Sequence, residues 1–140
     1  MNNSMTEQQK CDLGLMYDPA FPGREESHLV CADLCFDYNH TRPSDTKTRE
    51  AILRKLFGSV GANPYDEPNL FCGFGKNIYI GDNFFANNNC VFVDPGTITF
   101  GNNLFVGQNC GFYTAHHPIQ TELRNQGYEY AFPIRIGGNV

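Results

Sequence analysis

A chain of 140 residues is one domain's worth of sequence, long enough to bury a core and too short for two full domains. Its 15 acidic residues against 10 basic ones give a net charge of −5, which leaves no basic face for a phosphate backbone and excludes nucleic acid as a partner. The apolar fraction of 41% is that of a globular protein, and no apolar run approaches the roughly 20 residues that cross a bilayer, so disorder and membrane spanning are set aside and no membrane partner is expected.

Residues 1–10 are polar and lack the apolar stretch of a signal peptide, which predicts a cytoplasmic chain whose six cysteines are thiols. Residues 6–16 read as a short helix, and Pro19, Pro22 and Gly23 then interrupt it. Over residues 25–38 a second helix is expected, with Leu29, Ala32, Leu34, Cys35 and Phe36 as its apolar side. Ser44 reads as the cap of a third, whose stripe is Ile52, Leu53, Leu56 and Phe57, with Gly58 as its stop. Pro64, Asp66, Pro68 and Asn69 are turn formers, so residues 61–70 are expected as a joint between a helical segment, 1–60, and something different, 61–140, within one structural domain.

Beyond the joint a six-residue period appears. Its starts are Ile80, Ala86 and Phe92, then Phe100, Val106 and Phe112, then Ile136. Gly81, Gly101, Gly107 and Gly137 follow four of these starts. The fourth place is Asn83, Asn89, Asn103, Asn109 and Asn139, and the fifth is apolar again: Phe84, Cys90, Leu104, Cys110 and Val140. Short flat strands that turn a corner every six residues need positive φ at the corner, where asparagine is the best-tolerated side chain after glycine. The apolar first and fifth places then face a narrow interior, and the small second place lets successive coils stack closely. Two stretches break the register. Asp94-Pro95-Gly96-Thr97 adds two residues at a corner, and residues 116–133 leave the coil as a protruding loop, where functional groups are to be sought.

These residues resemble the maltose and galactoside O-acetyltransferases. The resemblance is carried by Tyr38-Asn39-His40, by Asn83-Phe84-Phe85-Ala86-Asn87, by Tyr113-Thr114-Ala115-His116-His117-Pro118, and by Arg124 to Glu129 leading into Pro133-Ile134-Arg135-Ile136-Gly137. It implies a mainly β fold, a left-handed parallel β-helix of hexapeptide repeats behind an N-terminal helical segment, assembled as a homotrimer with sites between subunits. It further implies acetyl-CoA as co-substrate, a small-molecule sugar acceptor and no metal. His117, the His before Pro, takes the place of the catalytic base. An imidazole suits that task because its ordinary pKa of about 6.5 lies near working pH. Glu129 is expected to hold the second ring nitrogen, a duty that carboxylates or backbone carbonyls perform. Asn87, Asp18 and Asp94 take the places of acceptor-binding residues, Pro95 stands where the galactoside enzymes carry a second acid, and His28 stands near a family arginine. On residue type alone Asn87 is equally a turn asparagine, Asp18 part of a Tyr-Asp-Pro turn and Glu129 a surface carboxylate.

Two further readings belong beside this one. Family members continue for several coils past the point corresponding to Val140, so the acetyl-CoA groove is expected beyond it, and a non-catalytic hexapeptide-repeat fragment is the alternative function. A zinc hydratase on the same scaffold has little support, since only His116 and His117 fall in the repeat region. His28, Cys31 and Cys35 share a helix but lack a Cys-x-x-Cys pair and a fourth ligand, and Cys90 and Cys110 fall on inward places, so packing is expected of the thiols.

Overall fold

The computed structural model describes residues 5–140. Three helices come first, α1 (Glu7–Asp12), α2 (Arg24–His40) and α3 (Thr46–Leu56). A capping box starts α1, with Thr6 Oγ1 accepting from Gln9 N at 3.1 Å and Gln9 Oε1 accepting from Thr6 N at 2.8 Å. The cap of α3 is Asp45, which accepts from Thr48 N, and not the neighbouring Ser44. Helix α2 buries Cys31, Cys35 and Tyr38. The expected side overlaps this only in part: Cys35 is buried and Leu34 packs against the core, but Leu29 and Phe36 are 57% and 61% exposed. Both sets have helical spacing, and the stripe with the two small thiols is the one that lies close against Leu70 and Cys72.

The strands then wind in coils: β1 (Ser59–Val60), β2 (Tyr65–Asp66), β3 (Phe71–Cys72), β4 (Ile78–Ile80), β5 (Phe84–Ala86), β6 (Val91–Val93), β7 (Ile98–Phe100), β8 (Leu104–Val106) and β9 (Gly111–Tyr113). After them come β10 (Ala115–His116), α4 (Thr121–Asn125), β11 (Tyr130–Ala131) and β12 (Ile134–Ile136). Parallel pairing gives three faces, β1-β4-β7-β12, β2-β5-β8 and β3-β6-β9. This is the left-handed parallel β-helix that the resemblance implied. The first coil starts at Ser59, so residues 61–70 are its second side and not a joint.

Two of the three corners are made by asparagine. Asn63, Asn83, Asn89, Asn103, Asn109 and Asn139 all have φ between 54° and 61°. Their side chains bond from coil to coil. Asn63 donates to Asn83, Asn83 to Asn103 and Asn103 to Asn139 at 2.7–3.2 Å, while Asn69 donates to Asn89 and Asn89 to Asn109 at 2.8 and 3.1 Å. At the first of these corners the coils approach too closely for a side chain in the second hexad place: a Cβ on Gly81 would lie 2.3 Å from Asn102 Oδ1. The third corner is longer, and in two coils. Residues 73–77 and 94–97 both intervene between strands, whereas only the second insertion was expected.

Inside, aromatic rings fill the prism, with Phe92 stacked on Phe112 at 5.3 Å and Phe84 against Phe100 at 5.1 Å. Helix α3 covers the first coil with Leu53, Leu56 and Phe57, the last packing edge-on to Phe92. One inward place is occupied by an acid. Asp66 is in register with Ala86, which is in register with Val106, and both of its carboxylate oxygens are buried without a hydrogen-bond partner. Burial raises its pKa well above the ordinary carboxylate range, the nearby Arg49 charge opposing this only in part. The same sign holds at Asp94, where burial lifts the carboxyl to about 6.

An acid whose pKa is raised by folding contributes stability that is lost as pH climbs above its unfolded value of about 4. Asp66→Ala, which restores the side chain of the next coil, is therefore expected to stabilise the fold by about 1–3 kcal/mol at pH 8. Its advantage over the parent is expected to shrink as pH falls toward about 4, where the acid is neutral in both states. Thermal melts of the two proteins across that range check this, and equal midpoints at pH 8 would contradict it.

Candidate active site

The coil is left between Asn103 and Asn139, a separation of 36 residues where the other rungs have 20. Its departure is anchored by Thr114, fully buried, whose Oγ1 donates to Val93 O at 2.9 Å and accepts from Gly96 N at 2.9 Å. Thr114 O in turn accepts from Phe132 N, so both ends of the excursion are tied to the third corner. The excursion is an ordered arm and not an irregular loop. Strands β10 and β11 pair antiparallel, and α4 closes the tip, where Arg124 donates to Ile119 O at 3.0 Å.

His117 stands directly after β10, exposed at the root of this arm. Its Nδ1 lies 3.0 Å from Tyr128 O. A carbonyl only accepts, so Nδ1 carries the proton and Nε2 keeps its lone pair toward solvent. That geometry is what a general base requires. His116 points elsewhere, its ring tilted against Phe132 at 5.3 Å.

Glu129 does not hold the imidazole, contrary to expectation. Its Oε2 accepts from Tyr17 Oη at 2.6 Å and from an Arg24 guanidinium nitrogen at 3.3 Å. The physical reason is the N-terminal segment: Tyr17 and Glu129 pair as an isolated antiparallel bridge, Tyr17 N to Glu129 O at 2.9 Å and Glu129 N to Tyr17 O at 3.0 Å. The carboxylate is thereby taken up by Tyr17 and Arg24, and the imidazole meets the Tyr128 carbonyl instead. Burial, then the bond to Glu129, pushes the Tyr17 hydroxyl far above its ordinary range, so it remains a donor.

The other expected residues are distributed unevenly. Asp18 is exposed next to the Tyr17 bridge, its N donating to Glu7 Oε2 and its Oδ1 accepting from Ala20 N, so it lies at the edge that carries His117. Asn87 follows β5 at a different edge, its Oδ1 accepting from Asn88 N at 2.8 Å. The face β3-β6-β9 separates the two edges, and a three-residue strand alone spans about 10 Å. Asp94 is fully buried, its Oδ1 accepting from Gly73 N and Phe74 N at 2.8 Å, so it shapes the corner and does not face an acceptor from this chain. His28 Nδ1 meets Gly73 O at 2.8 Å on the same corner.

Sequence reasoning missed Tyr17, Arg24 and the Tyr128 carbonyl. Tyr17 lies in a segment that reads as a turn, and a main-chain carbonyl carries no residue signature. Among the described residues no group of three or more His, Cys, Asp or Glu is placed to hold a metal ion, and all six cysteines are free thiols.

Residues 10–61 match the family model described as the maltose acetyltransferase hexapeptide capping motif. The chain is 38% identical over its whole length to the galactoside O-acetyltransferase of Escherichia coli, of which it spans 68%. It is 47% identical over 137 residues to a putative acetyltransferase of Staphylococcus haemolyticus, of which it spans 71%. Among solved structures, a maltose O-acetyltransferase from Clostridium difficile superposes with a TM-score of 0.90 at 40% identity, covering 97% of this chain and 76% of that one. A galactoside acetyltransferase in complex with coenzyme A superposes with a TM-score of 0.83 at 32% identity, covering 97% and 68%.

Thr114→Val keeps the shape of the anchor and removes both of its side-chain bonds, leaving Gly96 N without its acceptor. The expected outcome is a loss of about 1–3 kcal/mol and faster amide exchange across residues 115–133. Exchange measured with and without the substitution checks it, and unchanged protection of the arm would refute the anchoring role.

Proposed function

The chain belongs to the maltose and galactoside O-acetyltransferase family, and from that premise we propose that it transfers the acetyl group of acetyl-CoA to a hydroxyl of a sugar, with His117 as general base. One observation carries the reading: an exposed imidazole whose Nδ1 is committed to a carbonyl at 3.0 Å, which leaves Nε2 as its free basic nitrogen. As the sugar oxygen attacks the thioester carbonyl, Nε2 takes the hydroxyl proton. The tetrahedral adduct collapses, the carbon–sulfur bond breaks, and the proton passes to the departing sulfur, so that an ester and a free thiol result.

The acceptor side of the proposal uses Asn87 and Asp18, amide and carboxylate groups that suit sugar hydroxyls. Asn87 and His117 stand at different edges of one prism, a face apart. A site containing both therefore needs His117 from one copy and Asn87 from the next, a heterologous contact that closes into a ring, here the homotrimer. Asp94 supports the corner from within.

Two tests follow this reading. His117→Ala is expected to lower kcat by about 10²–10⁴ with the fold unchanged, read as coenzyme A thiol released over a panel of sugars; an undiminished rate would remove His117 as the base. Asn87→Ala and His117→Ala proteins, each impaired alone, are expected to regain activity when unfolded and reassembled together, because about a quarter of randomly mixed sites would carry both native residues. No recovery from mixed oligomers would place both residues in one chain's site.

A further inference from the structure

We propose that Tyr17 and Arg24 are positioning residues for the base, acting on His117 through a single peptide unit. This rests on the reading of His117 as the base. The Tyr128 carbonyl that holds the imidazole and the Glu129 N–H that donates to Tyr17 O belong to the same peptide group. That group is planar and trans, so its C=O and N–H point in opposite directions. With the N–H fixed on Tyr17 at 3.0 Å, the carbonyl is aimed at His117 Nδ1, also at 3.0 Å. Rotation of this plane breaks both bonds together.

On the other side of Tyr128 the restraint is weaker: its N–H reaches Leu123 O only at 3.4 Å, and Gly127 N–H is held by Arg124 O one peptide further back. Gly127 has φ of 87°, a residue without Cβ in the left-handed region and with open space around it. The resistance comes from Glu129. Its backbone pairs with Tyr17 in both directions, and its carboxylate is shared by the Tyr17 hydroxyl and the Arg24 guanidinium. Tyr17 is 0% exposed and packs with Cys11 and Ala131, while Arg24 lies over the rings of Phe74, Tyr17 and Phe21 at 4.7, 5.2 and 5.2 Å. Phe74 itself sits on the third corner, its N–H on Asp94. An unbroken line of contacts thus runs from the rigid coil through the N-terminal segment to the imidazole tautomer. Donation by the N–H to Tyr17 also polarises the same amide and makes its carbonyl a better acceptor for Nδ1–H. The N-terminal helices cover the first coil, and through this bridge they also set the proton-accepting nitrogen.

The test uses the whole chain with Tyr17→Phe, which removes only the hydroxyl, and with Arg24→Gln and Arg24→Lys. Each of the first two is expected to lower kcat by about tenfold with both KM values within about twofold, and their double variant to do little more than either alone, since the residues act as one unit. Arg24→Lys is expected to recover part of the loss. Nitrogen chemical shifts of His117 are expected to show the Nδ1–H tautomer falling in Tyr17→Phe and Arg24→Gln, a readout that does not depend on turnover. Folded variants with an unchanged tautomer would overturn the inference even if kcat fell. If instead His117→Ala kept full activity, the base reading would fail while the tautomer shift still reported on the bridge.

Discussion

Asparagine at positive φ is the constraint from which the rest of this structure follows. A non-glycine residue in the left-handed region is disfavoured, and a coil that visits it at corner after corner needs a compensating interaction at each turn. The amide supplies one: each corner side chain donates to the same side chain in the next coil, so that the strain of the bend and the stacking of the coils are solved by one residue type. The 20-residue rung that results brings Phe84, Phe92 and Phe100 inward without a gap and sets the distance at which Gly81 can carry no Cβ.

At the third corner a different device operates, and chemistry collects there. Two extra residues per coil leave backbone amides for side chains to bond: the buried Asp94 takes Phe74 N and shares Gly73 N with Phe92 O, while Thr114 takes Gly96 N. Corners built this way can let the chain leave and return. The arm from Ala115 to Phe132 does so, bonded at both ends to Thr114 or its neighbours, and it carries an imidazole out of the core without loosening the coil beneath. The arm thus holds one imidazole at the edge of a rigid wall, which is the arrangement the proposed reaction uses.

Much of the plan was legible in the residues. The hexad starts and the corner asparagines from residue 80 onward are where the period placed them, because period and backbone strain are both local properties. The first coil was hidden because Asp66 occupies an inward place that is apolar in later coils, and because Pro64 and Pro68 look like punctuation. On α2, Leu29 and Phe36 were expected inward but are exposed, Cys35 went in as expected, and Cys31 and Tyr38 joined it, since which stripe is buried depends on how closely the partner surface approaches. The ring-orienting role of Glu129 also failed at first hand, as the carboxylate is captured by Tyr17 and Arg24.

By itself the sequence determined what short-range physics determines, three helices and a six-residue bend, and its motifs pointed to a family and to one imidazole, that of His117. Only the tertiary structure decided what meets that imidazole and what takes Glu129, because the first is a main-chain carbonyl 11 residues away and the second is Tyr17, 112 residues from Glu129. It likewise decided that Asp94 lies in the wall and that Asn87 and His117 lie a face apart. Hydrogen bonds between distant segments depend on where a closed coil returns the chain, and that is settled by packing in three dimensions and not by the spacing of residues along it.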